Sequence, residues 1–351
     1  MQPHIATPQL SFWEKLNGDI MAIALFVIAA AVIAFAGVRM TRIADMLADR
    51  TGLGEAVIGG VLLGASTSLS GTVTSVSAAA EGLAPLAVSN AIGGICAQTV
   101  FLVIADFTYR RANLEHAAAD EKNLLQVALL VLLLSIVLAA YLMPPFDFWA
   151  VHPVSVLLVA AYLFGVRAAV DLQKQPMWRP EQTEHTRSDQ PDSQVMEFKL
   201  APLLIRFCAL ALVLGGAGFL VAKTGAQISS QFGISQTVVG ALLTAIATSL
   251  PELVTTLAAV RRGALQLAVG GIVGGNTFDV LFLSLSDFAY RDGSIYHAMG
   301  DRDALLLVAG IVMAAILLMG LILRDRRGIG FEGFAILCVY AAVVTLQIYM
   351  G

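Results

Sequence analysis

Apolar residues run through this chain in long blocks, broken by short charged or Pro/Gly interruptions. The blocks lie near 19–40, 53–80, 83–107, 123–143, 151–170, 201–222, 234–260, 264–288, 303–323 and 331–350. Each approaches or exceeds the ~20 residues that an α-helix needs to cross a bilayer. Strands with open edges cannot satisfy their backbone groups in lipid, so all of these blocks are expected to be helices. The pattern predicts an all-α polytopic membrane protein of about ten transmembrane helices. One sizeable polar stretch, 171–200 (DLQKQPMWRPEQTEHTRSDQPDSQVMEFKL), reads as a flexible linker. It divides the helices into a first half, 19–170, and a second half, 201–351. Residues 1–18 are mixed and polar, with Glu14 and Lys15, and do not resemble a cleavable leader; the run behind them is long enough to span.

Composition sharpens this picture. Of the 351 residues, 58% are hydrophobic and only 13% charged, where soluble domains carry roughly 25%. A water-facing surface cannot be built from that supply, so the lipid bilayer is the main solvent and no large soluble catalytic domain fits. A net charge of −4 gives no support for nucleic-acid binding. Cys96, Cys208 and Cys338 all lie in apolar runs, which argues against disulfides and a cysteine metal site. Nothing points to a prosthetic cofactor or an obligate protein partner. With residues 1–18 placed outside, alternate loops collect most of the Lys and Arg, among them Arg39, Arg42, Arg110, Arg111, Arg261, Arg262, Arg324, Arg326 and Arg327. The opposite loops hold only Lys15, Lys223, Arg291 and Arg302. By the positive-inside rule both termini face out and 171–200 lies in the cytoplasm.

Sliding the chain against itself gives one register, an offset of 181 without a gap. VIGGVLLGASTSLSGTVTS (57–75) lies over VVGALLTAIATSLPELVTT (238–256), and VSNAIGGICAQTVFLVIADFTYR (88–110) over VGGIVGGNTFDVLFLSLSDFAYR (269–291). Thr67/Thr248, Ser68/Ser249, Gly94/Gly275 and Asp106/Asp287 are among the shared positions. Five helices per half is an odd number, so the second copy enters the membrane from the opposite face. Such inverted-topology repeats characterise secondary transporters, which bind substrate near the bilayer midplane on interrupted helices. Here the second helix of each half carries the interruption, at 64–71 and 245–252, with Pro251 expected to kink the latter and free carbonyls. Carbonyl and hydroxyl oxygens of this kind suit Na+ or Ca2+.

Deep within spans, Glu252 and Asp279 stand out. Each acidic side chain at membrane centre costs about 2.5–3.5 kcal/mol on insertion scales, a cost that a bound cation or proton offsets. Asn276, one turn before Asp279, can add an amide oxygen. Asp106 and Asp287 each open an Asp-Phe-x-Tyr-Arg run at a span end, where pairing with Arg110 and Arg291 four residues on is expected to anchor the interface. Glu55 and Glu81 fall near span ends, where solvation is cheap. Without HExxH or a buried Ser/His pair, an intramembrane protease has little support.

These residues resemble the cation/Ca2+ exchanger superfamily, specifically the sodium/calcium exchanger type. That family carries two α-repeats, each with a G-[TS]-S-x-P-E-like motif and a following Gly/Asn-rich motif. Here the repeats fall at about 53–110 and 234–291. The likeness is most specific in the second, at Ala-Thr248-Ser249-Leu-Pro251-Glu252 and Gly274-Gly275-Asn276-Thr-Phe278-Asp279. The resemblance implies a secondary-active antiporter, exchanging Na+ (or H+) against Ca2+ by alternating access, rather than an enzyme. Thr248, Ser249, Glu252, Gly275 and Asp279 would line the site from the second repeat, and Thr67, Ser68 and Gly94 from the first. Asn276 and Gln98 would be polar lining, and Glu252 and Asp279 the charged metal ligands. The first helix of each repeat (19–40 and 201–222) would move against the rest. The expected location is the bacterial inner (plasma) membrane.

The first repeat departs from the pattern: Ser70-Gly71 stands where Pro-Glu is usual, Ile95 where Asn is, and Gln98 where an asparagine-type ligand is. The site keeps two carboxylates, whereas Ca2+ favours several anionic oxygens among six to eight ligands. Water beside Gly71 could complete the shell. A proton-coupled or monovalent-cation exchanger, and a non-transporting protein on a degenerate scaffold, are the alternatives.

Overall fold

In the computed structural model, the described residues are 12–51, 60–109, 114, 120–174, 200–263, 265–323 and 330–350. Their regular structure is helical, as the apolar blocks require. The first half contains α1 (Phe12–Thr51), α2 (Gly60–Thr67), α3 (Leu69–Ala80), α4 (Ala84–Thr108), α5 (Glu121–Leu142) and α6 (Pro153–Lys174). The second contains α7 (Leu200–Phe232), α8 (Gln236–Thr248), α9 (Leu250–Arg262), α10 (Leu265–Asp279), α11 (Leu281–Ala289), α12 (Asp301–Leu323) and α13 (Phe331–Tyr349). Among the described residues, and taking α10 and α11 together, eight helices are long and apolar enough to cross a membrane, and the pair α8/α9, bent by 47°, makes a ninth. The pair α2/α3 is the described part of the equivalent broken span in the first half. This is a polytopic membrane protein of two inverted five-helix repeats. Glu55, Arg110 and most of 171–200 lie outside the described residues.

Both broken helices interrupt within the expected stretches 64–71 and 245–252, at the repeat-equivalent residues Ser68 and Ser249. Ser68 has φ −82° and ψ 0°, and Ser249 has φ −95° and ψ 6°, the sparsely populated bridge region in each case. Pro251 follows the second break, as expected, but the first occurs with Ser70 in the equivalent place. The break is therefore a property of the repeat and not of proline alone. The sequence pattern did not anticipate two further irregularities. Val239–Thr244 in α8 is a π-helical stretch, of the kind often found at functional sites. A one-residue step at Val280 separates α10 from α11, whereas α4 runs unbroken past the equivalent Thr99.

Helix α4 is the centre of the bundle, with 94% of its apolar stretch buried. Only 28% and 22% are buried in α1 and α7, which extend beyond the expected 19–40 and 201–222 and pack mainly on each other through Ile33, Met40, Leu214 and Val221. This pair meets the broken helices through two glycines. A Cβ at Gly37 would overlap the Pro251 ring, and one at Gly218 would overlap the Ser70 carbonyl. Gly37 and Gly218, like Ser70 and Pro251, differ by 181, so the two contacts are repeat-related.

Both span-end aspartates are buried, and Asp287 departs from the expected pairing with Arg291. Asp287 is fully buried and accepts hydrogen bonds from Ile295 N (2.9 Å), His152 N (2.7 Å) and Ser155 Oγ (2.7 Å). Arg291 is exposed and donates to the Phe288 carbonyl instead. Asp106 is likewise buried and accepts from Leu114 N at 2.8 Å, eight residues on, as Ile295 is from Asp287. Each aspartate caps the connector that follows its helix: backbone N–H groups leaving the helix need an acceptor, and the carboxylate supplies it. Burial and the neighbouring His297 hold His152 below its usual pKa, so its neutral ring can accept from Val154 N and cap α6. Glu81 pairs with Lys223 at 2.6 Å on the surface.

Candidate cation site between the repeats

The two breaks bring helix ends from both halves to one place. Thr67 ends α2, Ser68 lies in the first break, Thr248 ends α8, Ser249 lies in the second break, and Glu252 sits in the first turn of α9. Asp279 is the last residue of α10, with Asn276 one turn earlier, and Gln98 faces them from mid-α4. None of these eight side chains is more than 7% exposed.

The contacts obey the repeat. Gln98 and Asp279, 181 apart, meet directly: Gln98 Nε2 donates to Asp279 Oδ2 at 2.7 Å. Ser68 Oγ donates to Asp279 Oδ1 at 2.5 Å, and its counterpart Ser249 Oγ accepts from Gln98 Nε2 at 3.1 Å. The glycines expected at the site are close to it. A Cβ on Gly94 would lie 3.5 Å from Ser249 Oγ and 4.0 Å from Asp279 Oδ2, and one on Gly275 3.4 Å from Gln98 Oε1. Gly94 and Gly275 thus keep the helix surfaces low where the polar groups converge.

Not every predicted hydroxyl turns inward. Thr248 Oγ1 donates within its own helix, to the carbonyls of Thr244 (2.9 Å) and Ala245 (3.2 Å). Thr67 Oγ1 bonds the Gly64 carbonyl at 3.1 Å and also faces the Glu252 carboxylate. Gly71 borders Thr248, but the space in front of it is not open to water: the Phe282 ring fills it.

Among the described residues, three oxygens here are buried with no protein partner: Glu252 Oε2, Gln98 Oε1 and Asn276 Oδ1. The amide orientations follow from their neighbours. Only an NH2 group can serve the Asp279 carboxylate, so Gln98 must turn its oxygen the other way. Asn276 Nδ2 donates to Thr99 Oγ1 at 3.2 Å, leaving Oδ1 open. Buried acceptors left without donors are costly. A buried oxygen without a donor is served by an ordered water or by a cation.

Several contributors are not among the residues that the sequence pattern picks out. Thr99 orients Asn276 from inside an apolar run. Asn90 joins three elements: its Nδ2 donates to Gly71 O (3.2 Å) and Ser75 Oγ (2.9 Å), and its Oδ1 accepts from Thr244 Oγ1 (2.7 Å). An amide in mid-span is a findable signal for Asn90. Phe282 offers none.

Inverted five-helix repeats closing on a buried site of two carboxylates and unpartnered oxygens define a membrane cation transporter. The chain belongs to the sodium/calcium exchanger family, whose model, described as sodium/calcium exchanger protein, matches residues 21–170 and 202–349. It is a family of transporters, not enzymes. The CaxA protein of Alkalimonas amylolytica is 36% identical over 132 residues, which are 37% of this chain and 40% of that one. Inner membrane protein YrbG of Escherichia coli (strain K12) is 24% identical over 312 residues, 89% of this chain and 93% of that one. Among solved structures, the H+/Ca2+ exchanger CAX matches with a TM-score of 0.70 at 11% identity, covering 94% of this chain and 86% of that one. The sodium-calcium exchanger NCX_Mj matches with a TM-score of 0.60 at 18% identity, covering 93% and 99%.

Proposed function

We propose that this protein exchanges Na+ for Ca2+ by alternating access, with Glu252 and Asp279 as the charged ligands of one buried site. The observation that carries the reading is the set of unpartnered oxygens, Glu252 Oε2, Gln98 Oε1 and Asn276 Oδ1, beside those carboxylates. These are hard oxygen donors of the type Ca2+ and Na+ take. Thr67, Ser68, Thr248 and Ser249 stand at the helix breaks, with the Ser68 and Ser249 hydroxyls directed at Asp279 and Gln98, and Gly94 and Gly275 leave room for an ion.

Charge balance makes the movement an exchange. Two buried carboxylates are neutralised by one Ca2+ or by two Na+. Left empty, they carry the cost of uncompensated charge in a membrane interior. The site therefore changes sides loaded, which couples outward movement of one ion to inward movement of the other. The sparse burial of α1 and α7, and their glycine contacts with Pro251 and Ser70, support sliding of that pair over the broken helices. The Lys and Arg distribution supports an orientation with both termini outside and 171–200 in the cytoplasm. The same two carboxylates can take two protons in place of two Na+, which keeps H+ coupling as the second reading.

Proteoliposomes supplied with radiolabelled Ca2+ distinguish the two. Na+-driven Ca2+ flux that disappears in Glu252→Gln is expected. Flux driven only by a pH gradient would assign H+ coupling, and flux driven by neither gradient would sink Ca2+ exchange altogether.

A further inference from the structure

The two halves correspond residue for residue, yet the site they build is one-sided. The repeat-equivalent of Glu252 is Gly71 (252 − 71 = 181). Gly71 is buried in α3, and a Cβ built on it would lie 2.8 Å from Phe282 Cε2, 3.2 Å from Cζ and 3.6 Å from Thr248 Oγ1. The ring edge of Phe282 therefore occupies the space into which a side chain at 71 would grow.

Neither partner is free to yield. Phe282 is 4% exposed and stacks edge-on against Phe278, with centroids 6.3 Å apart at 80°. Phe278 meets Tyr162 in the same way, at 5.9 Å and 78°, and rests its Cβ 3.7 Å from where a Cβ on Gly64 would be. Gly64 and Gly71 thus seat two successive rings of an aromatic row reaching across from α6. Behind Gly71, Asn90 Nδ2 fixes the backbone carbonyl. Swinging the Phe282 ring aside would disturb the whole row, in an interior packed too densely to absorb the change.

We propose that Phe282 is a specificity-determining residue of the cation site: seated on Gly71, its ring replaces a carboxylate in the first repeat and restricts the site to one divalent cation at a time. The inference rests on the exchange reading above. An aromatic ring at this place removes water from one flank and adds no ligand. Its edge, the weakly positive part of the ring quadrupole, is the part that faces Gly71, so it attracts no second cation. Coordination then comes from Glu252, Asp279, Asn276 and Gln98 with the adjoining hydroxyls, and the charge of two carboxylates matches one divalent ion.

The test is a pair of double-mutant cycles on the full chain in detergent. In the first, Gly71→Ala should lower the thermal midpoint when Phe282 is present and have little or no effect beside Phe282→Ala. Additive effects would show that the ring does not fill the space at 71 and would overturn the proposal. In the second, equilibrium binding of radiolabelled Ca2+ is measured. Phe282→Ala alone should reduce the preference for Ca2+ over Na+. Adding Gly71→Glu to it should tighten Ca2+ binding by about tenfold or more, because ligand charge count sets Ca2+ affinity. Gly71→Glu with Phe282 intact should give no such gain. Equal tightening in both backgrounds, or none in the double variant, would overturn the role of Phe282; Phe282→Leu supplies the same comparison if the alanine variant fails to fold. Undiminished Ca2+ binding in Glu252→Gln would instead sink the exchange reading itself, whatever the first cycle reports.

Discussion

At the scale of the residue, Gln98 shows how the two halves share one site. It is the repeat-equivalent of Asp279, and an amide in that position can donate where a second carboxylate could only repel. Gln98→Glu would set a further negative charge against Asp279. Without cation the variant should lose on the order of 3 kcal/mol of stability, as expected for an uncompensated buried charge. Ca2+ should restore it, so that the Ca2+-induced rise in thermal midpoint exceeds that of the wild type. Equal rises in the two proteins would mean that Gln98 does not face the ion. Charge in an apolar span is a loud signal, so Glu252, Asp279 and, through the register, Gln98 are legible in the sequence. Phe282 is silent because a phenylalanine among leucines is ordinary, and its partner Gly71 is 211 residues away. Asp287 misleads because Arg291 is near in sequence, while its true partners come from His152, Ser155 and Ile295.

Helices are where the sequence is most readable, since hydropathy and backbone satisfaction in lipid leave one structure available. The interruptions at Ser68 and Ser249 are legible from glycine, serine and proline content, although proline accounts for only one of them. The π-helical stretch of α8 and the step at Val280 are not, because they depend on contacts between elements. Gly93 lies against the Ala241 backbone so closely that a Cβ would come within 2.5 Å of Ala241 Cα. The seat of α7 on α3 is testable in the same terms. Gly218→Ala drives a methyl into the Ser70 carbonyl and should cost about 1–3 kcal/mol by overpacking. Gly216→Ala, two residues away with nothing within 4 Å of its Cβ, should be neutral or gain up to about 1 kcal/mol of helix propensity. Thermal midpoints in detergent separate the two, and equal responses would contradict the close approach of α7 to α3.

For the whole molecule, the odd number of helices per half and the 181-residue register are enough to give inverted repeats and a site between them. The sequence already shows that the halves are unequal, with both carboxylates in the second repeat and Gly71 opposite Glu252; it does not show the Phe282 ring that fills the space at Gly71. One repeat supplies both carboxylates, while the other supplies an amide, hydroxyls and two glycines that seat aromatic rings. A site built this way balances one divalent ion or two monovalent ones, and that balance underlies the proposed exchange. Equilibrium binding of radiolabelled Ca2+ to the purified protein tests it most directly. Saturable binding of one Ca2+ per chain, displaced by Na+ or H+ and lost in both Glu252→Gln and Asp279→Asn, is the expected result. Binding that survives both substitutions undiminished would place the ion elsewhere and contradict the account.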